Sequence, residues 1–391
     1  MNPLYQGSVK RVYGPARVNE QPAFVFEFSD RYSIFDWGQM PDSISGKGRA
    51  LSEIGALLFE ELGEASAWQA YFKSPQALSL RKGASLFSGE FSRKVNEWGE
   101  CLQSSGCRHH FLGRVKEVPQ TENESLLVVD EETGCIAVQP IQVMSPEIVS
   151  VADRQFVNYA HSLKSTSTRL IPLEVIFRYG LTDGSSFLES AQTSGYTDSI
   201  VFSSQSNLSG PWDFPVIEMT TKLETIDRKL LLGEAMQISG LTGEQMNALV
   251  IQTAWISSWL KWRFAQKGIE LIDGKLEWAI QENGELMLVD SIGPDELRLV
   301  KNGKGLSKQF LRNYYLQSSW YQELSALKKK YPHDRMRWKK ETQSQPSSLP
   351  KDWKDVAERM YQFLKTELKG ESGESFSTLN LSFEALRSEK K

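Results

Sequence analysis

The sequence predicts an α+β protein, and three observations carry that expectation. Runs with two-residue hydrophobic alternation gather in the first 144 residues. Runs with helical apolar spacing stand apart from them, at 48–63 and after Thr242. Late in the chain, the hairpin dipeptide Asn283-Gly284 separates two further alternating runs. The composition suits a folded chain with a sizeable core: 391 residues, 40% hydrophobic, 24% charged, with 11 Trp and 19 Phe.

The elements follow in order. Residues 1–30 alternate through Val12, Tyr13 and AFVFEF at 23–28, with turn signals at Gly7, Gly14-Pro15 and Asn19, and predict an antiparallel β unit. Leu51, Ile54, Leu57, Leu58 and Leu62 repeat at helical spacing, and Gly63 supplies a stop. SLLVVD at 125–130 and CIAVQPIQV at 135–143 predict more strands. VMSPEIVSVADRQFVNYAHSLKSTSTR predicts a helical excursion before the apolar strand LIPLEVIFR at 170–178. Thr242 and Gln245 form a capping-box pattern, and Gly268 stands where a C′ glycine belongs, which bounds a helix of about 24 residues. A linker near 338–350, a helix through DWKDVAERMYQFLKTEL and a polar tail complete the chain. The expected organisation is a β-rich lobe over 1–144, an inserted helical segment over 145–169, an α+β lobe over 170–369 and a tail over 370–391.

A formal net charge of −4 advertises neither nucleic acid nor an anionic membrane surface, so a small-molecule partner is expected. The N-terminus lacks an apolar signal region, and the longest uncharged apolar stretch, Gln245 to Leu260, is too short and polar to span a bilayer. Three cysteines make no disulfide framework, which favours a reducing compartment, the cytoplasm. CLQSSGCRHH at 101–110 gathers Cys101, Cys107, His109 and His110, but the spacing fits no zinc pattern.

The chemistry concentrates in LIDGKLEW, residues 271–278. On a strand, Asp273, Lys275 and Glu277 share one face. If Asn283-Gly284 is a two-residue loop, Trp278 faces Val289, Ile280 faces Met287, and Glu277 stands across from Asp290. Two carboxylates in register repel. Either Lys275 screens them on a solvated face, or a divalent magnesium bound with substrate phosphates offsets the repulsion.

LIDGKLEW followed by LVDSIGPDELR resembles the hairpin motif of the phosphoribosylaminoimidazole-succinocarboxamide (SAICAR) synthases. LYQGSVKRVY at 4–13, DRYSIFDWG and ISGKG within 30–48, LIPLEVIFR, TTKLE at 220–224, SKQFLRNYY at 307–315 and LPKDWKDVAERMYQFLK at 349–365 agree in order. The resemblance, which is to a divergent bacterial type, implies an ATP-grasp or kinase-like fold whose β-rich lobe closes over ATP. It implies ATP-dependent ligation of L-aspartate to carboxyaminoimidazole ribotide, releasing ADP and phosphate through an acyl phosphate. By similarity, Glu277 and Asp290 fall on metal carboxylates for Mg2+. Arg178, Ser185, Asp273, Lys275 and Arg298 fall on the ribotide site. Gly7 and Lys10 fall on the ATP-phosphate hairpin, and Lys10 and Lys275 are the catalytic cations.

The sequence departs from the family pattern at Ser8, in place of a lysine, at Ser291 after Asp290, at Thr182-Asp183-Gly184-Ser185, and at Ile226-Asp227. The altered loop keeps open a paralogous ligase or kinase with another acceptor. A catalytically inert binding protein is the third reading, and the retained Lys10, Glu277 and Asp290 argue against it. Lys47 in SGKG has the look of a phosphate loop, or of a solvated turn.

Overall fold

The computed structural model describes residues 1–160, 163, 167–181, 186–192, 195–203, 206–331 and 334–388. The chain is α+β and divides into two compact units: residues 1–59, 111–140 and 292–391 form one, and residues 60–110 and 141–291 form the other.

The first unit opens on the expected antiparallel sheet. Lys10–Val18 pairs with Gln21–Phe28, which pairs with Cys135–Val138, which pairs with Phe111–Val115. Asn19 and Glu20 make the connecting turn with positive φ of 49° and 63°, the left-handed conformation a tight hairpin loop requires. Gly14-Pro15 marks no chain reversal. The strand runs through it with a register shift between Tyr13 and Ala16, because Pro removes one ladder donor without ending the extended backbone. Alternate residues Tyr13, Ala16, Val18, Ala23 and Val25 form the core of this sheet with Val115, Leu126 and Ala137. Of the 125–130 run, only Glu124–Leu126 is a strand, parallel to Lys10–Val18.

The C-terminal part of this unit is helical. Lys351–Lys369 buries Trp353, Val356, Ala357, Met360, Tyr361 and Leu364 on one face. The expected tail contains the helix Phe376–Ser388, with Leu379, Phe383 and Leu386 buried at helical spacing. The linker region holds a further short helix, Arg335–Glu341.

In the second unit Arg169–Arg178 lies between Val216–Thr221 and Glu270–Ile280, both antiparallel to it, and Leu286–Val289 extends the sheet beyond Glu270–Ile280. The helix Gly243–Ala265 buries Leu249, Val250, Trp255, Ile256 and Trp259, and its capping box of Thr242 and Gln245 is formed as expected. Gly268 takes φ +61° just past its end.

The inserted segment is corrected by the structure. Residues 147–158 of the expected helical excursion are instead a two-stranded hairpin, Glu147–Val151 with Arg154–Asn158, around Ala152-Asp153. Ile148, Val149, Val151 and Val157 are β-branched, which disfavours a helix, and Ala152 at φ +52° closes the turn.

Candidate active site

One face of the second unit's sheet is charged. Register places Glu174 beside Glu277 and Thr220, Ile176 beside Lys275 and Glu218, and Arg178 beside Asp273. Asp273, Lys275 and Glu277 therefore do share a face, as period-2 geometry requires. Leu173, Val175 and Phe177 take the opposite, buried face.

Two clusters occupy the charged face. In the first, the Lys222 ammonium donates to Glu277 at 2.6 Å and to Glu174 at 3.1 Å, and Lys275 donates to Glu174 at 2.6 Å. In the second, Arg178 donates through Nε to Glu218 at 2.5 Å and through Nη1 to Asp273 at 3.0 Å. Tyr196 and Lys229 add donors to Glu218. Glu174, Arg178, Glu218, Asp273 and Glu277 are all buried.

The hairpin register is corrected by one residue. Glu277 faces Val289, Trp278 faces Leu288 and Ile280 faces Leu286. The loop is three residues, not two. Gly284 N–H donates to the Gln281 carbonyl, Gly284 takes φ +82°, and Gln281 N–H bonds to the Glu285 carbonyl. The Asn283 side chain caps this turn by accepting from Glu285 N–H. This is a type I turn closed by a left-handed glycine, so Asn283 leads the glycine without forming a type I′ pair.

Direct pairing of Glu277 with Asp290 is thereby lost, but the chain turns at Asp290, which takes φ +70°. That non-glycine left-handed residue leaves the strand plane, and its carboxylate acts on the same Lys222 ammonium that Glu277 binds. Ser291 Oγ donates to Asp290 at 3.3 Å, and His110 Nε2 bonds to the Asp290 carbonyl at 3.0 Å. Glu277 thus binds, and Asp290 acts electrostatically on, one cation. Among the described residues no group of three or more His, Cys, Asp or Glu forms a metal cage. Two hard carboxylates suit magnesium and leave coordination positions for phosphate oxygens and water.

The electrostatics keep every member charged. Burial alone would lower Lys222, but Glu277, Asp290 and Glu174 hold it well above the ordinary lysine range. Burial opposes Lys275 too, and Glu174 outweighs it. Lys275 is thus a fixed cation, not a proton acceptor at neutral pH. Burial would raise Glu174 and Glu218, yet the lysines beside the first and Arg178 with Tyr196 beside the second hold both below the usual carboxylate range.

A carboxyl depressed on folding stabilises the fold above its unfolded pKa, and that contribution fades as pH falls through its lower folded value. The raised lysines act oppositely: their contribution is complete below the ordinary lysine value of about 10.4 and is lost only as pH rises past it. The unfolding free-energy difference between the parent chain and Glu174→Gln should therefore be constant from about pH 6 to 9 and shrink below about pH 4. Urea titrations at each pH measure it. A difference unchanged between neutral pH and pH 3 contradicts this account.

The remaining candidates lie elsewhere. Gly7 and Lys10 are in the first unit, where Gly7 N–H donates to the Lys10 carbonyl at 2.9 Å across the bend between Tyr5–Gln6 and Lys10–Val18. The Lys10 ammonium sits 4.4 Å from the centre of the Phe26 ring. Arg298 is half-buried in the strand Leu297–Lys301, also in the first unit. Ser185 and the rest of 182–185 fall outside the described residues. Lys47 is no phosphate-loop lysine: it is fully buried and donates to Asp295 at 2.8 Å and to the Arg31 carbonyl at 3.2 Å. Cys101 is exposed while Cys107 and Cys135 are buried, and none forms a disulfide.

Sequence reasoning missed Glu174, Glu218 and Lys222 as members of the site. Their signal was present: a lone acid inside each apolar strand, LIPLEVIFR and VIEMTT, on the face opposite the hydrophobic residues. A charge in a buried strand needs a partner, and two adjacent strands with such charges supply partners for each other.

Comparison with known proteins agrees across the chain. Residues 3–327 match the family model for SAICAR synthetase. A protein of Archaeoglobus fulgidus, provisionally named phosphoribosylaminoimidazole-succinocarboxamide synthase, is 29% identical over 368 residues, covering 93% of each chain. The phosphoribosylaminoimidazole-succinocarboxamide synthase of Thermoplasma acidophilum is 24% identical over 332 residues, covering 83% of this chain and 86% of its own. Among solved structures, the SAICAR synthase from Saccharomyces cerevisiae complexed with SAICAR superposes with a TM-score of 0.56 at 18% identity, over 96% of both chains. A type-2 SAICAR synthetase in complex with ADP gives a TM-score of 0.50 at 17% identity, over 95% of this chain and 99% of its own.

Proposed function

The chain belongs to the SAICAR synthetase family, and from that premise we propose how its residues carry the reaction. The protein is an ATP-dependent ligase of purine biosynthesis that joins L-aspartate to carboxyaminoimidazole ribotide, giving SAICAR, ADP and phosphate. The observation that carries the residue assignment is the charged sheet face, where Glu277 binds Lys222 and Asp290 acts on the same ammonium within a network of buried carboxylates and cations.

A carboxylate is a poor acyl donor, so ATP must first convert it to an acyl phosphate, a step governed by positioning and charge compensation. Glu277 and Asp290 would hold Mg2+, which supplies charge neutralisation at the phosphates when bound. Lys222 and Lys275 present fixed ammonium charge beside those carboxylates, and Glu174 orients both by accepting a hydrogen bond from each. Gly7 and Lys10 are assigned to the ATP phosphates: a glycine permits close backbone approach, and the lysine adds a point charge. Beyond Glu277 the same face turns apolar, through Ala279, Met287 and Val289 with Ile141 and Leu170 against them, a surface suited to a flat base. Asp273, Arg178, Ser185 and Arg298 are assigned to the ribotide and a cytoplasmic setting to the protein. No helix among the described residues is long and apolar enough to cross a membrane.

The function is tested by ADP release with ATP, L-aspartate and carboxyaminoimidazole ribotide, each omitted in turn. Release should need all three. Two variants then separate the substrates. Arg298→Ala should raise the apparent KM for ribotide by roughly tenfold to a hundredfold with little change for ATP, since a charge-assisted hydrogen bond to phosphate contributes about 1.5–3 kcal/mol. Lys10→Ala should do the reverse. A loss confined to ATP in Arg298→Ala removes its ribotide assignment.

A further inference from the structure

A cleft of about 410 Å³ opens in the second unit between the helices Gly89–Ser105 and Gly243–Ala265 and the tip of the 281–286 loop. It lies on the helix side of the sheet, away from the charged face. Trp98, Leu102 and Leu286 give it apolar walls, Cys101 and Arg108 stand among its lining residues, and Gln252 is there too. The volume is in the range of small-molecule sites, which combine apolar walls with a few polar groups that fix orientation.

Gln252 sets this cleft apart from a packing gap. It is only 4% exposed, on a helix that buries mostly aliphatic and aromatic side chains together with Thr253, Ser257 and Ser258, and its amide makes no hydrogen bond to any described residue. The amide is not sealed in the core but opens to the cleft, where it offers a donor and an acceptor side by side. The neighbouring amide, Gln245, is already committed: its oxygen accepts from Thr242 N–H and its nitrogen donates to the Gly284 carbonyl. Arg108 is committed as well, to Glu285 at 2.9 Å and Gln281 at 3.1 Å, so the rim offers no uncompensated charge to an anion. The half-buried Trp98 ring has no aromatic partner among the described residues and presents a stacking surface.

We propose that this cleft binds a neutral planar heteroaromatic amide of the nucleobase class, its paired donor–acceptor edge on the Gln252 amide and its ring against Trp98. The inference stands on the cleft alone and not on the assignment of the reaction.

Cys101 reports on occupancy. Burial pushes the Cys107 and Cys135 thiols up to about 12, leaving Cys101 as the thiol open to alkylation. The experiment follows iodoacetamide labelling of the full chain by intact mass, with saturating ADP present to occupy the nucleotide site, and with hypoxanthine as the probe. Hypoxanthine at ten times its dissociation constant should slow Cys101 labelling roughly tenfold, by mass action. Toluene, flat but without a hydrogen-bonding edge, should not. Gln252→Leu should abolish the protection and leave ADP release with the three substrates unchanged. Should Gln252→Leu fail to fold, Trp98→Ala decides, since protection must weaken there too. No protection by hypoxanthine at its solubility limit, equal protection by toluene, or full protection in the folded Gln252→Leu or Trp98→Ala variant overturns the proposal.

Discussion

Glu277→Gln is expected to reduce turnover by at least a hundredfold to a thousandfold, the scale on which removal of one preorganised electrostatic group acts, while leaving the fold intact. The amide keeps the shape of the side chain and can still accept from Lys222, which retains Glu174 and Asp290 as counter-charges. What disappears is one of the two anionic oxygen donors proposed to hold the metal. Asp290→Asn should act similarly, and the double variant should cost little more than either alone, because two groups that hold one ion are not additive. ADP release across a magnesium titration, with the melting temperature as a control, measures this. Full activity in Glu277→Gln, at any magnesium concentration, ends the metal assignment.

Arg178→Met should lower unfolding stability by about 3–5 kcal/mol, the usual cost of removing one partner from a buried ion pair. Its guanidinium is buried and shared by Glu218 and Asp273 at 2.5 and 3.0 Å, and their charges hold it above its ordinary range although burial opposes them. Removing it leaves two buried carboxylates without their common counter-charge. Adding Glu218→Gln to Arg178→Met should recover part of the loss, which a simple packing defect would not. Urea denaturation of the parent, single and double variants measures both effects. A loss under about 1 kcal/mol, within the range of an exposed pair, would show that the network does not depend on the arginine. The apparent KM for ribotide in the folded Arg178→Met variant tests its substrate role separately: an unchanged KM leaves Arg178 a scaffold of the face alone.

The site was partly legible because strand geometry is local. Asp273, Lys275 and Glu277 alternate with Leu276 and Trp278, and period-2 alternation alone puts the charges together on one face. The capping box of Thr242 and Gln245 and the extent of the helix it opens were equally readable, since capping involves groups within one turn. Asn302-Gly303, with φ of 49° and 73°, forms the two-residue loop that an Asn-Gly pair favours. Asn283-Gly284 does not, and its third loop residue shifts every later pairing by one.

By itself, then, the sequence determined the α+β class, which strands are apolar, and that LIDGKLEW presents its charges together. Periodicity and turn chemistry act over a few residues and leave their pattern in the chain. Only the tertiary structure decided that 147–158 is a hairpin, that Asp290 acts on Lys222 from a left-handed turn and not through pairing, and that Arg178 lies between Glu218 and Asp273. Those outcomes depend on register and on charges brought together from 40 and 95 residues away. In a buried, low-dielectric setting each charge must find a partner, and the identity of that partner is set by which strands become neighbours.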